Sequence, residues 1–434
     1  MSPTENGRPG APGGSGRPRV MLWILILAAT VSLGRFLAVL PLTYPPRTEV
    51  DFPAYHEGGR LLIEGEIDRL YSDDFKEFQN LPLVTVFLAP LGALDYDQAW
   101  RVLWWTNLAS IVAALAVLLF CIRRFFPPLD AEGLLIALAL YFWFAPIMHR
   151  SLVLGQTTPI MVLLLAAFYA LARRGRSTLS AIVLGSICLV KIPPLALVGV
   201  FLARRRVRLV AGALVVVLLG LAISLAVFGL DLNLQYGRRV IWTNAGKALA
   251  AFNNQSLLGS MLRLLTDRGL TDWRLLPPPF VVTVLHRSAL LLLIGVLLWR
   301  GRRLVWPASP PDGDPDETLE VEIGLGVSLM LLIFPIGWIH YFQFLVVPVT
   351  LLPFWWRAAG LPPRGPTVAI LAIGILLAAG GMVRDGAYYA HFENETLFRV
   401  LQCSRTLGAL LLAWGYARAL GETAASGNGS TGTA

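Results

Sequence analysis

Apolar runs of membrane-span length recur along the chain from Val20 to Leu420, each closed by a short polar joint. A helix needs about 20 predominantly apolar residues to cross a bilayer, and cytoplasmic joints collect Lys and Arg. With the basic amino terminus taken as cytoplasmic, residues 20–42 lead out, and 97–122 return to Arg123 and Arg124. Residues 132–148 lead out again, and 156–172 return to Arg173, Arg174 and Arg176. Further on, 209–228 lead out and 280–299 return to Arg300, Arg302 and Arg303, after which 321–337, 339–356, 366–383 and 398–420 alternate.

Two runs break the count. Residues 81–94 are apolar but short, with Asp95 and Asp97 behind them, and a crossing there would invert every later joint. They read as re-entrant or interfacial. A single crossing by 177–203 would put Arg173–Arg176 and Arg204–Arg208 on opposite faces. Two short crossings resolve this, with a break at Lys191-Ile192-Pro193-Pro194, because proline removes a backbone donor and disfavours a helical residue before it.

The chain therefore reads as an all-α polytopic membrane protein of about 12 crossings, short broken helices included, with both termini cytoplasmic. Residues 1–19 form a disordered leader, 20–420 one integral membrane domain, and 421–434 a disordered tail. Two outer loops stand out. Residues 43–96 carry juxtamembrane helices, and 229–279 form a long loop placed outside despite Arg238, Arg239, Lys247 and Arg263, because loops of that length report orientation weakly. No internal repeat of the kind common in transporters is visible.

Composition agrees: 56% of residues are apolar and 15% charged, against about 25% charged in globular chains. The net charge of +9 comes from short juxtamembrane arginine clusters, which is how orientation signals look, so no nucleic acid partner is expected. Cys121, Cys188 and Cys403 lie in apolar stretches without a CxxC or His-rich neighbourhood, which excludes a disulfide framework or zinc site. The run 20–42 is too long for a signal-peptide core and lacks a small-residue cleavage site, so it stays as an anchor in the plasma (inner) membrane.

Charge is sorted locally. Between Thr43 and Asn80 nine carboxylates face four cationic side chains, an acidic excess inside a basic chain. Within that loop Asp51 sits two residues before Pro53, and Ala54, Gly58, Leu61 and Leu62 give a helix-spaced apolar face for a segment lying on the membrane. Asp51 is either the first residue of a helix, stabilising its opening turn, or a general base.

The threading gathers further polar residues on the outer, periplasmic face: Tyr55 and His56; Gly155 and Gln156; Lys191; Asn253, Asn254, Gln255 and Ser256; His340 and Tyr341. Lys191 interrupts an apolar stretch where a charge is costly. It either snorkels to the headgroups or holds a lipid phosphate. Gly155-Gln156 precedes a helix start, which is a plain turn or an anion site. His340 either supports structure, orients an acceptor or contacts phosphate. Asn253–Ser256 lead into an amphipathic pattern at Leu257, Leu258, Met261, Leu262 and Leu265 that would cover the cavity. Asp73-Asp74 lacks a third ligand placed by sequence and reads as a solvated turn, so no metal and no cofactor are expected. Asn254-Gln255-Ser256 and Asn394-Glu395-Thr396 match glycosylation acceptors.

In order and spacing, Asp51-Phe52-x-x-Tyr55, Gly65, Leu70-Tyr71, Pro82, Pro90-Leu91, Trp104, Asn107, Gly155-Gln156, Lys191, Pro194, Asn254-Gln255-Ser256, Arg263, Pro335, Trp338 and His340 together resemble glycosyltransferase family 87. These are polyprenyl-phosphate-sugar-dependent membrane enzymes of the GT-C class, similar to the mannosyltransferases of phosphatidylinositol mannoside assembly. Two positions depart from the family pattern: Leu81 stands where an aromatic is common and Thr158 where an Asn is, and both bear on donor details rather than reaction class.

The resemblance implies inverting transfer of a hexose, mannose being the commonest, from a polyprenyl-phosphate sugar to a glycolipid, polysaccharide or protein acceptor. It implies Asp51 as catalytic base, with Lys191 and His340 at the donor phosphate and Tyr55, His56, Gln156, Asn254, Gln255 and Arg263 around the substrates. Two other classes share the layout. A transporter or lipid flippase would spread its charges over both halves, and a lipid-linked polysaccharide polymerase or ligase would differ in donor length.

Overall fold

The computed structural model describes residues 19–44, 51–73, 78–126, 129–300, 318–362, 365–380, 391 and 396–427. Their regular structure is helical: no strand occurs among them, only two isolated bridges, Ala248 with Leu276 and Asn254 with Trp338. The leader up to residue 18, the joint at 301–317 and Asn394 lie outside the described residues.

Helix α1 (Arg19–Val39) is followed by a short pair, α2 (Phe52–Glu64) and α3 (Val84–Gly92). These two cross backbone on backbone. A Cβ on Gly59 would lie 2.3 Å from the Leu88 carbonyl oxygen, and one on Gly92 would lie 2.2 Å from the Arg60 nitrogen. The apolar face of α2 thus buries Ala54, Tyr55, Gly58 and Leu61 within the protein. At nine residues, about 14 Å, α3 is far too short to cross.

Helix α4 (Tyr96–Phe125) is a full span. The run at 132–148 is split into α5 (Ala131–Trp143) and α6 (Ala145–Leu154), bent by 45°. Pro146 in the first turn of α6 accounts for the bend, since its ring excludes the preceding carbonyl and supplies no N–H. Then come α7 (Thr158–Ala172), α8 (Ser177–Val190), α9 (Leu195–Ala203) and α10 (Val207–Gln235). Helix α10 kinks at Gly229, whose φ of 74° suits glycine, and runs on through a wider coil at Tyr236–Trp242 into α11 (Thr243–Gly246). The remainder comprises α12 (Leu257–Leu265), α13 (Phe280–Arg300), α14 (Leu319–Ile333), a tight turn of helix at Ile339–Leu345, α15 (Val346–Ala358), α16 (Pro366–Ala379), α17 (Thr396–Leu401) and α18 (Ser404–Gly427). Helix α18 extends past Gly421, where the tail was expected to begin.

Among the described residues five helices are long and apolar enough to cross a membrane, or six with the bent pair, against the expected 12. The difference lies in helices such as α7, α8 and α16, apolar but only 15, 14 and 14 residues long. Span Ile339–Ala358 is the centre of the bundle, with 89% of its apolar window buried, whereas Phe280–Leu297, with 11%, lies at the periphery.

Two arrangements fix which joints share an end. Arg173 lies 3.4 Å from Glu320, while Arg204 and Arg206 meet Glu322 at 2.7 and 2.5 Å, both carboxylates being fully buried. The Tyr169 hydroxyl also donates to Glu320, at 2.6 Å. The arginine clusters on either side of 177–203 therefore sit together, as two short passages require. Elsewhere, Arg239 donates to the Tyr71 carbonyl and to Asp73, which joins the acidic loop to the stretch after α10. Asp73 is an exposed partner in that pair rather than half of a metal site, and Asp74 lies outside the described residues.

The two ion pairs differ in weight. Glu322→Ala leaves two largely buried guanidinium groups without their carboxylate and is expected to cost about 3–5 kcal/mol. Arg239→Ala removes an exposed pair and is expected to cost less than about 1 kcal/mol. Thermal unfolding of the detergent-solubilised variants checks both; equal shifts would contradict the ranking.

Candidate functional site

The site is assembled where three helices are interrupted. Helix α6 ends at Gly155, left-handed at φ 65°, with its N–H on the Leu152 carbonyl at 3.1 Å. Any Cβ here would come within 2.6 Å of Phe52 and of Trp100, so only glycine lets α2 and α4 close on this turn. The turn is then held from two sides. Asn107 Nδ2 donates to the Gln156 carbonyl at 2.8 Å, and the Asp51 N–H donates to the Leu154 carbonyl at 3.3 Å.

Asp51 thereby opens α2 with Pro53 in the first turn, yet its carboxylate makes no capping hydrogen bond. Its charge acts on both Tyr55 and Tyr341. One turn along α2, the Tyr55 hydroxyl donates to Gln156 Oε1 at 3.0 Å. Burial first, and the Asp51 charge second, raise the Tyr55 phenol above its ordinary range, so it remains a neutral donor.

The second interruption is at Lys191, which ends α8 in extended conformation ahead of Pro193 and Pro194. Its Nζ lies 3.4 Å from the Tyr55 hydroxyl, 3.3 Å from Gln156 Oε1 and 5.5 Å from the centre of the Tyr341 ring. Tyr55, Gln156 and Lys191, distant in sequence, therefore form one cluster. The aromatic face and two oxygens steady the ammonium, which still has donor capacity beyond them.

The third is the segment from Pro335 to Leu345. His340 is 2% exposed, packed edge-on against Tyr341 at 4.7 Å and stacked over Trp338 at 6.4 Å. Neither of its ring nitrogens has a hydrogen-bond partner among the described residues. Its cationic neighbours are Lys191 and Arg150. Arg150 was not singled out from the sequence, although a basic residue following Met148 and His149 at a span exit was a visible signal. Gln343, three residues on, accepts from Ser151 at 2.8 Å and locks this segment onto α6.

Other expected site residues turn elsewhere. His56 points away from the cluster: its Nε2 meets the Leu94 carbonyl at 3.0 Å and its ring packs between Phe52 and Tyr96. Asn254 is fully buried and uses both ends of its amide within the protein, donating to the carbonyls of Leu249 and Pro335 and accepting from the N–H groups of Ser256 and Gly337. That occupation also removes it as a glycosylation acceptor. Gln255 donates through its side chain to Phe252 and through its backbone to the Gly337 carbonyl at 2.6 Å. Arg263, at 0% exposure, reaches the carbonyls of Ala250, Ala251 and Asn254. These residues build the floor that carries Trp338 and His340. Among the described residues no group of three His, Cys, Asp or Glu is placed to hold a metal ion.

The sequence model for glycosyltransferase family 87 matches residues 78–335, more than half of the chain. The matched segment includes Gln156, Lys191, Asn254 and Arg263, begins after Asp51 and Tyr55, and stops short of His340. No curated protein matches the chain.

Arg263→Lys is expected to lower thermal stability, because one ammonium cannot serve three carbonyls in a fork and each buried acceptor left unmet costs about 1–3 kcal/mol. A melting curve superimposable on the wild type would show the guanidinium to be dispensable. Because Tyr55 stays protonated, any alkaline limb in the activity profile below about pH 10 belongs to other groups. Tyr55→Phe should therefore lower activity without moving that limb; loss of the limb in the variant would contradict the assignment.

Proposed function

The chain belongs to glycosyltransferase family 87, a family of membrane glycosyltransferases, and from that premise we propose that it moves a hexose, mannose foremost, from a polyprenyl-phosphate sugar to an acceptor hydroxyl at the outer face of the membrane. The observation that supports this most is the meeting of an uncapped carboxylate with a buried cationic and aromatic cluster: Asp51 beside Tyr55, Gln156, Lys191 and His340.

The roles follow from the chemistry. Asp51 takes the proton of the acceptor hydroxyl as its oxygen forms a bond to the anomeric carbon, and the bond from that carbon to the phosphate oxygen breaks. The electron pair leaves with polyprenyl phosphate. One displacement on one carbon inverts its configuration. A base within hydrogen-bond reach contributes roughly 10²–10⁴ in rate.

Lys191 faces the charge that develops on the departing phosphate, with Arg150 as the second cation. His340, whose ring nitrogens have no partner among the described residues, supplies a hydrogen bond to the same group. Tyr55 and Gln156 hold the ammonium in place, since removing either would leave Lys191 with fewer fixed oxygens. Asn254, Gln255 and Arg263 act through His340, by fixing the segment it stands on. A donor already attached to a lipid reaches such a site from the bilayer, and the acceptor is a glycolipid, polysaccharide or protein.

Transfer of labelled mannose from synthetic polyprenyl-phosphate mannose, comparing wild type with Asp51→Asn in detergent, tests the reading. The expected result is transfer by the wild type and a fall of about a hundredfold or more in the variant. Equal transfer by both would leave Asp51 a structural residue, and use of a nucleotide sugar in place of the lipid phosphate would remove the donor assignment.

A further inference from the structure

A second concavity lies away from the Lys191 cluster, in the connection between α12 and α13. It has a volume of about 640 Å³ and is lined by the turn carrying Asp267, Arg268, Thr271, Asp272, Trp273 and Arg274. That volume is within the ~300–1,000 Å³ of small-ligand sites. Trp273 is 48% exposed although it is a large aromatic side chain. Its position is not that of a loose surface residue, because its ring meets Phe252 edge-on at 5.5 Å and 84°.

The surrounding turn is pinned at several points. Ala248 and Leu276 exchange both backbone hydrogen bonds, at 3.0 and 3.2 Å, and Phe252 N–H donates to the Leu270 carbonyl at 2.7 Å. Arg268 reaches the Pro277 carbonyl, and Arg399 from α17 clamps the carbonyls of Thr266 and Arg268. Asp272 receives Arg274 bidentately, at 2.8 and 3.0 Å, which fixes a carboxylate and a guanidinium next to the indole. The pocket also communicates with the site: Phe252 adjoins Asn253, whose carbonyl accepts from Ile339, the neighbour of His340.

A rigid, half-exposed indole with fixed hydrogen-bonding groups at its edge is complementary to one class of molecule. A pyranose has an apolar face of C–H groups that lies on an aromatic ring, and a rim of hydroxyls that both donate and accept. A tryptophan anchored in lipid headgroups would instead be expected among apolar and basic neighbours, whereas Asp267 and Asp272 oppose anionic lipid.

We propose that this pocket binds the carbohydrate portion of the acceptor, one sugar ring lying on Trp273 with its hydroxyls on Asp267 and the Asp272–Arg274 pair. The assignment as acceptor rests on the glycosyltransferase reading above, and it makes the acceptor a glycan rather than an unglycosylated lipid or peptide.

The test is a titration of the full chain in nanodiscs, carrying Asp51→Asn so that no chemistry intervenes, with linear mannotriose, maltotriose and galactotriose. Trp273→Ala and Trp273→Phe are compared in that background. The expected result is that the best-bound trisaccharide loses about tenfold or more in affinity with Trp273→Ala, and that Trp273→Phe stays within about threefold, because it keeps a ring. In the active protein Trp273→Ala should raise the acceptor KM and leave the donor KM unchanged, which also shows that the variant is folded. Binding of none of the three sugars, or an affinity unchanged by Trp273→Ala, overturns the proposal. So does a Trp273→Ala effect limited to melting temperature in phosphatidylglycerol as against phosphatidylcholine discs, which would make the indole a membrane anchor. The donor assay separates the two readings: Trp273-dependent sugar binding without transfer from polyprenyl-phosphate mannose keeps the carbohydrate site and removes the donor, and transfer with Trp273-independent binding does the reverse.

Discussion

Backbone that leaves helical geometry inside an apolar bundle must find its hydrogen bonds elsewhere, and the architecture around His340 depends on that constraint. The stretches 248–256 and 335–339 run side by side without forming strands. They are joined by Gln255 N–H to Gly337, Ile339 N–H to Asn253 and the single Asn254–Trp338 bridge. What regular pairing does not supply, three side chains do: the Asn254 amide, the Ser256 hydroxyl on Pro335 and the Arg263 guanidinium. A charged residue at zero exposure is costly unless every donor is used in a setting that demands it, and a cluster of converging carbonyls is such a setting.

The same trade recurs at the other interruptions. Stopping α8 at Lys191 and α6 at Gly155 gives up helical hydrogen bonds, and in return brings a cation, an amide and a phenol from three elements to one point. The lost regularity is offset at the far end of the hairpin formed by α8 and α9, where Glu320 and Glu322 gather arginines from both of its ends. Rigid placement of the cluster and buried ion pairing at the opposite end are therefore two parts of one solution.

How much of this was legible in the sequence varies by residue, for physical reasons. Proline and charge rules act locally, so the break at Lys191, the shortness of 81–94 and the shared end of the arginine clusters could be read from neighbours alone. The meeting of Tyr55, Gln156 and Lys191 followed from threading them to one face. Side-chain direction could not. His56 adjoins Tyr55 but sits on another side of α2 and answers to Leu94 and Tyr96. Arg263 looked like one more polar group on an amphipathic helix, because its carbonyl partners belong to a loop whose path periodicity does not encode. Glu320 and Glu322 stood at the edge of an apolar run, and their partners lie more than a hundred residues earlier. The bend before Pro146 was missed because hydropathy alone saw one continuous crossing.

The hairpin has an implication for how the protein is made. At 14 and 9 residues, α8 and α9 are about 21 and 14 Å long, so neither can settle across a bilayer of about 30 Å unaided. Their arginines acquire carboxylate partners only when α14 emerges from the ribosome, after more than a hundred further residues have been synthesised. Until then the nascent chain holds a lysine-bearing, half-length insertion with nothing to clasp it. Maturation of the site is thus tied to the order of translation, and the early part of the chain cannot reach its final depth before the later part arrives.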